Sequence, residues 1–229
     1  MSEKIYVNEE AQSLNKFLVR SFLYMGLGLA VTAITAYFTW ATGAWRIFSQ
    51  NTFLLLGCIL LEFGLVIYLT NRIRKLKLTA AYVSFFLYAV VNGLTFSFLF
   101  LAYNLGTLFM AFGFSAVLFI NIAIIGHITK RDLTRFGNII FAALITLIIV
   151  TACSIMFRIS GLDMILSYIG IAIFMAFTAY DVQMLKKMYY SSGSDEVRLQ
   201  AFGIYGALQL YLDFINLFIY ILRLINRRK

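Results

Sequence analysis

The sequence of 229 residues contains no proline and few charged residues. Only 13% of the residues are Asp, Glu, Lys or Arg, whereas a typical soluble domain has about a quarter. The hydrophobic share is 62%, which would leave too much apolar surface exposed to water. The composition therefore excludes a soluble globular protein and predicts an integral membrane protein.

Residues that bind metals or carry redox chemistry are also scarce. The chain has two cysteines, Cys58 and Cys153, both inside apolar runs, and a single histidine, His127. Structural zinc sites need about four such ligands, so no zinc site and no cofactor are expected. The absence of proline matters too, because many transporters break membrane helices at Pro or Gly to bind ions with backbone groups. Here only glycine could do this, which favours an ion site made of side chains.

Seven apolar runs are long enough to cross about 30 Å of hydrocarbon as helices. They are Phe17–Trp40, Phe53–Asn71, Leu78–Tyr103, Thr107–Thr129, Phe136–Phe157, Leu162–Leu185 and Phe202–Ile225. The predicted fold class is an all-α membrane protein, with one seven-helix domain over residues 17–225. A polar N-terminal tail (1–16) without a cleavable signal peptide and a basic C-terminal tail (226–229) flank it. The longest predicted loop, Lys186–Ala201, is expected to be mobile.

The distribution of Lys and Arg predicts the orientation, because these residues concentrate in cytoplasmic segments. Thirteen lie in the N-terminal segment and the second, fourth and sixth loops, against two, Arg46 and Arg158, in the other loops. The N-terminus is therefore expected in the cytoplasm. Seven full crossings would then place the basic C-terminal end outside, against this rule, unless the seventh segment does not cross completely.

Asp213 lies in the middle of the last apolar run, where an ionised carboxylate costs about 2.5–3.5 kcal/mol or more. Gln209 precedes it and Asn216 and Tyr220 follow it at helical spacing, so that they form a polar stripe on one face. Such a costly group is usually functional, paired, or both.

Two further acids, Glu62 and Asp181, lie within predicted spans. The sixth and seventh helices should be antiparallel neighbours, so Asp181 and Asp213 could meet, although the predicted depths require a shifted helix or an inward loop. Two carboxylates in a low dielectric cannot both stay ionised, so the pair would share a proton and respond to pH. When deprotonated it could bind Ca²⁺ weakly and transiently, with water, Gln209 or Asn216 completing the shell.

Structural roles for these acids stay open. Each Asp could cap a neighbouring helix or pair with an arginine, and Arg72 or Arg74 could reach Asp181 as a latch. Asn92 or Tyr88 on the third run could satisfy Glu62. The stripe of Ser84, Tyr88, Asn92 and Thr95 could line a cavity or simply hydrogen-bond between helices.

Several classes of membrane protein are excluded. Intramembrane aspartyl proteases carry a Gly-x-Gly-Asp motif and a Pro-Ala-Leu segment, neither of which is present. A retinal protein needs a lysine in the last helix, and Phe202–Ile225 has none. With the protease excluded, no enzymatic activity is expected. No nucleic-acid partner is expected either, because the basic residues cluster at the ends of apolar runs.

Two motifs carry a family resemblance. Phe177-Thr-Ala-Tyr-Asp-Val-Gln183 and Ile204-Tyr-Gly-Ala-Leu-Gln-Leu-Tyr-Leu-Asp-Phe-Ile-Asn-Leu-Phe218 closely resemble the Bax inhibitor-1 (transmembrane Bax inhibitor motif) family. Asn92-Gly-Leu-Thr95 and Glu62 are similar to that family as well. The short tails resemble its bacterial branch, which implies the bacterial inner membrane.

The resemblance implies a bundle with the last of seven helices at its centre. It also implies a pH-sensitive calcium leak channel in which Asp181 and Asp213 form the gate and Arg72 or Arg74 acts as a latch. Some relatives modulate membrane proteases. The alternative function is therefore a non-conducting regulator that binds a membrane protease or another membrane protein.

Overall fold

A computed structural model describes residues 2–157, 159, 161–193 and 195–226, with side chains described from residue 12 onward except at 52, 55 and 155. Arg158 and the predicted basic tail beyond Asn226 lie outside this part. The described helices are α1 (Ser2–Ala41), α2 (Trp45–Gln50), α3 (Thr52–Arg74), α4 (Leu78–Phe96), α5 (Leu99–Ala102), α6 (Leu105–Ile128), a 3₁₀ turn (Leu133–Phe136), α7 (Gly137–Met156), α8 (Leu162–Ser192) and α9 (Glu196–Asn226).

Within the described residues, seven helical segments are long and apolar enough to cross a membrane, and each contains most of one predicted run. The predicted all-α membrane protein with seven spans is therefore confirmed. α9 is the most buried: 56% of its apolar stretch is buried, against at most 39% in any other span.

The predicted loop over Lys186–Ala201 is wrong at both ends, because α8 continues to Ser192 and α9 begins at Glu196. Gly193 ends α8 with a positive φ of 57°, a conformation that favours glycine. Asp195 then caps α9, since its side chain accepts a hydrogen bond from the Arg198 amide at 3.0 Å. The prediction took the ends of the apolar runs as the ends of the helices. Both helices continue into the polar residues beyond those runs.

One span is interrupted without proline or glycine at the break. α4 ends at Phe96, and two turn residues separate it from the short helix α5. The Ser97 hydroxyl donates to the Leu94 carbonyl at 2.6 Å, which offers the backbone an alternative to the helical pattern. The backbone stays hydrogen-bonded through this turn, so the interruption does not test whether glycine is needed to expose backbone groups to an ion.

The chain forms two compact units, and the long helices α8 and α9 contribute to both. The first unit contains the described residues up to Ala102 together with Leu185–Tyr211. The second contains Tyr103–Met184 and the described residues from Leu212 onward. Asp181 and Asp213 both belong to the second unit, and Glu62 belongs to the first.

Glycines allow the closest helix contacts in each unit. In the second unit, a Cβ on Gly126 of α6 would lie 2.8 Å from the Ala179 backbone of α8. In the first, a Cβ on Gly93 of α4 would lie 2.8 Å from the Thr32 carbonyl oxygen of α1. Helices in lipid associate through such close packing because burial of apolar surface gives little drive there.

Replacing Gly126 with alanine is expected to lower the free energy of unfolding by about 1–3 kcal/mol, because the backbone it meets cannot move aside as a side chain could. Gly113→Ala on the same helix is the matched control, since a Cβ there has nothing within 4 Å. The measurement is an SDS titration in mixed micelles. Equal stabilities of the two variants would contradict the packing described.

Candidate functional site

Asp181 of α8 and Asp213 of α9 lie against each other in the second unit, and their carboxyl groups are hydrogen-bonded. Their exposed fractions are only 5% and 4%. The Thr178 hydroxyl, one turn before Asp181, also lies within hydrogen-bonding reach of Asp213. The same hydroxyl donates to the Phe174 carbonyl at 2.8 Å. Because it has only one proton, it cannot donate fully to both acceptors.

The register of the antiparallel helices α8 and α9 explains how the two acids meet. Gly170 packs against Tyr220, and Leu185 packs against Gly206, so Asp181 lies level with about residue 210. Asp213 is then about three residues deeper, or roughly 4.5 Å. Side chains tilt toward the N-terminus of their own helix, so these two lean toward each other and close the gap.

The residues around Asp181 each meet a different neighbour in the second unit. Ala179 packs on Gly126 of α6, and Tyr180 packs on Gly137 at the start of α7. The Gln183 amide nitrogen donates to the carbonyls of Thr129 and Arg131, and its oxygen accepts from the Leu133 amide at 2.8 Å. Gln183 thereby satisfies three backbone groups in the connection between α6 and α7, a role that its sequence position did not reveal.

The carboxyl pair can exist in this geometry only with a proton, because one protonated carboxyl must donate to the other. The Oδ2 atom of Asp213 is buried, and no hydrogen-bond partner for it is found among the described residues. Nor does a group of three or more His, Cys, Asp or Glu side chains suited to a metal occur in that part of the chain. A cation at the pair would therefore need further oxygen ligands from amides or water.

Gln209 and Asn216 do not share the burial of Asp213. Both are half-buried and lie with Leu212 on the least buried stripe of α9. The Asn216 amide nitrogen donates to the Leu212 carbonyl at 2.7 Å, which occupies one of its two donors. The predicted polar stripe therefore divides into a buried acid and a more exposed pair of amides.

Glu62 anchors a second polar cluster, in the first unit. The Thr95 hydroxyl donates to Glu62 Oε1 at 3.0 Å, and the Asn92 side chain lies close to this carboxyl group. Asn92 was one of the two partners predicted for Glu62. The other, Tyr88, is buried and lies close to Asn92 in the same cluster.

Tyr211 and Thr32 extend this cluster, and sequence reasoning missed both. Tyr211 is fully buried, and its hydroxyl lies 2.6 Å from the Thr32 hydroxyl and 3.3 Å from Asn92 Oδ1. Thr32 also donates to the Ala89 carbonyl at 2.9 Å. The chain of bonds thus connects α3, α4, α9 and α1. Single hydroxyls within apolar runs give no periodic signal, although Tyr211 lies within the quoted motif.

The two candidate latch residues end α3. Arg74 is exposed, and Arg72 is half-buried with its guanidinium 4.4 Å from the centre of the Tyr68 ring. This cation–π contact lies within the first unit. The latch itself stays a prediction.

Tyr211→Phe is expected to lower the free energy of unfolding by about 0.6–1.7 kcal/mol, the range measured for side-chain hydrogen bonds in membranes. The change removes the hydroxyl that connects Thr32 and Asn92. Tyr168→Phe, at a ring that is 56% exposed, controls for the loss of a phenol hydroxyl. An SDS titration that gives the same stability for both variants would contradict the role of the network.

Comparison with known proteins adds to this geometry. The family model described as "Inhibitor of apoptosis-promoting Bax1" matches residues 14–229. The inner membrane protein YbhL of Escherichia coli is 34% identical over 218 residues, which cover 94% of this chain and 93% of that protein. A protein of Borreliella burgdorferi is 34% identical over 98% of this chain and 99% of its own length. A membrane protein of Streptococcus pyogenes is 31% identical over 99% of both. This chain therefore belongs to the Bax inhibitor-1 family, as its two motifs predicted.

Proposed function

We propose that this protein is a pH-sensitive calcium leak channel of the bacterial inner membrane, gated by Asp181 and Asp213. The observation that carries the proposal is the hydrogen bond between these two buried carboxyl groups on adjacent helices. A family of membrane proteins with this motif, and a relative named as an inner membrane protein, support the location.

In this mechanism the shared proton holds α8 and α9 together at the pair. Loss of that proton leaves two carboxylates in a low dielectric, where they repel each other strongly. The same charges attract a hard divalent cation. Asp213 Oδ2, buried and without a partner among the described residues, would be a ready ligand once its side chain turns.

The pair supplies at most four oxygens, whereas Ca²⁺ takes about six to eight. Water and the amides of Gln209 and Asn216 would provide the rest. An incomplete protein shell suits passage better than storage, because an ion that binds weakly can also leave.

Arg72 or Arg74 would act on the deprotonated pair. A guanidinium that bonds both carboxylates would close the gate at high pH, whereas bare repulsion would open it. The direction of the pH dependence therefore reports which effect governs the gate.

The first test is calcium flux into liposomes that hold a calcium dye, between about pH 6 and 8. Wild-type flux is expected to change with pH, and Asp213→Asn is expected to abolish this change. The amide can still hydrogen-bond to Asp181 but cannot lose a proton. Asp163→Asn, at an exposed carboxyl in the first turn of α8, is the control and should keep the pH response.

Flux no greater than that of empty liposomes at every pH, from folded protein, would reject the channel. The remaining hypothesis would then be a regulator that binds a membrane protease or another membrane protein. Flux with an unchanged pH response in Asp213→Asn would keep the channel and reject the gate.

The proposed topology places the N-terminus in the cytoplasm and the C-terminus outside. A reporter fused after Lys229 is expected to give an external signal, because α9 is 31 residues long and can cross completely. A fusion truncated within the α8–α9 connection should report the cytoplasm. A cytoplasmic signal from the full-length fusion would exclude seven complete crossings.

A further inference from the structure

A groove runs between α3 and α4 on the surface of the first unit. Its volume is about 740 Å³, and it is lined by Leu61, Gly64, Leu65, Tyr68, Thr79, Ala80, Val83, Ser84 and Leu87. From Leu61 to Tyr68 the groove extends about 10 Å along α3. It therefore fits within one leaflet of the bilayer, whose hydrocarbon is about 15 Å deep.

The walls of the groove suit hydrocarbon. Leu61, Val83 and Leu87 are 48%, 62% and 45% exposed, so the groove opens toward the lipid side of the helices. The Ser84 hydroxyl donates its hydrogen bond to the Ala80 carbonyl of the same helix, so this donor is already occupied. At Gly64 a Cβ would meet no atom within 4 Å, which means that the missing side chain leaves real space.

The end of the groove near Tyr68 and Thr79 is strongly cationic. Arg72, Arg74, Lys75 and Lys77 lie in the last turn of α3 and the connection to α4. Leu76, with a φ of 53°, makes this connection tight, and the Lys77 amide donates to the Arg72 carbonyl at 3.0 Å. The sequence contains no acidic residue from Phe63 to Arg131 that could neutralise these charges locally.

Arg72 links the cationic end to the groove itself. Its guanidinium lies over the ring of Tyr68, which lines the groove. Tyrosine is enriched at the level of lipid headgroups, and clusters of Lys and Arg beside membrane helices attract anionic lipids. An apolar groove with a cationic end matches an amphiphile with an anionic head.

We propose that the α3–α4 groove binds an anionic phospholipid, with an acyl chain along its walls and the phosphate at Arg72 and Lys75. A second copy of this chain would fit less well, because it carries the same net charge of +9 and the same basic connection. The proposal does not rest on the calcium leak, although Arg72 is also one of the two candidate latch residues.

The test measures retained lipid by native mass spectrometry, after transfer from nanodiscs that contain phosphatidylglycerol and phosphatidylcholine with the same acyl chains. Phosphatidylglycerol is expected to bind preferentially. Each neutralised cation should lower its affinity about fivefold. Arg72→Gln with Lys75→Gln should therefore lower it about 25-fold and remove the preference. Lys130→Gln and Arg131→Gln, in the basic connection before α7, form the control pair and should keep it.

A second variant tests the apolar end without changing charge. Gly64→Leu should fill the groove and reduce retention of phosphatidylglycerol, because it occupies the space for the acyl chain. Gly57→Leu is the matched control, since it lies two turns earlier on the same helix, has equally open space and does not line the groove.

Three results would overturn the proposal. The first is equal retention of the two lipids by the wild type, and the second is an unchanged preference in both the charge and the groove variants. The third is a concentration-dependent dimer that Gly64→Leu disrupts and phosphatidylglycerol does not affect, which would assign the groove to a second copy. The charge variant and the groove variant change different ends, so misfolding of one leaves the other decisive.

Discussion

The cost of placing a carboxyl group away from water governs the second unit of this protein. Asp213 and Asp181 are both nearly inaccessible to solvent, and each gives the other a partner. That partnership requires α8 and α9 to approach closely and in one register. Gly170 provides this closeness where α8 meets Tyr220, and Gly126 provides it where α6 meets α8. Small residues at helix contacts are thus a condition for the acid pair rather than a separate feature.

The first unit also contains a carboxyl group within a membrane span, that of Glu62. Its partners are neutral side chains instead of a second acid. Amides and hydroxyls connect four helices there. A neutral network of this kind holds helices in one arrangement without a titratable pair. The first unit therefore satisfies a half-buried carboxyl group with neutral side chains, and the second pairs two buried ones.

The sequence alone predicted the seven spans, because long apolar runs have no other stable solution in a bilayer. It also singled out Glu62, Asp181 and Asp213, since charge at such positions is costly. It could not determine that Asp181 and Asp213 meet, because hydropathy gives neither the register of two neighbouring helices nor the direction in which their side chains lean. The extension of α8 to Ser192 depends on Gly193 and Asp195.

Tyr211, Thr32 and Gln183 were missed for a related reason. Each is a single polar group in an apolar or mixed segment, and its importance comes from partners distant in sequence. Thr32 and Tyr211 are separated by 179 positions, and Gln183 meets carbonyls more than 50 positions away. Local patterns contain no information about such pairings, whereas the choice of Asn92 as a partner for Glu62 followed from two consecutive antiparallel helices.

The short connection between α8 and α9 also limits how these helices can move. With so few residues between Ser192 and Glu196, neither helix can slide along the other by a full turn without unwinding its end. Rotation of α9 about its axis would turn Tyr211 as well as Asp213, because a helix transmits torsion along its length, and this would break the bond to Thr32. A splaying of the two helices, hinged at their connected ends, would require neither the slide nor the rotation. The connection would then act as a hinge, and the motion would separate the two carboxyl groups.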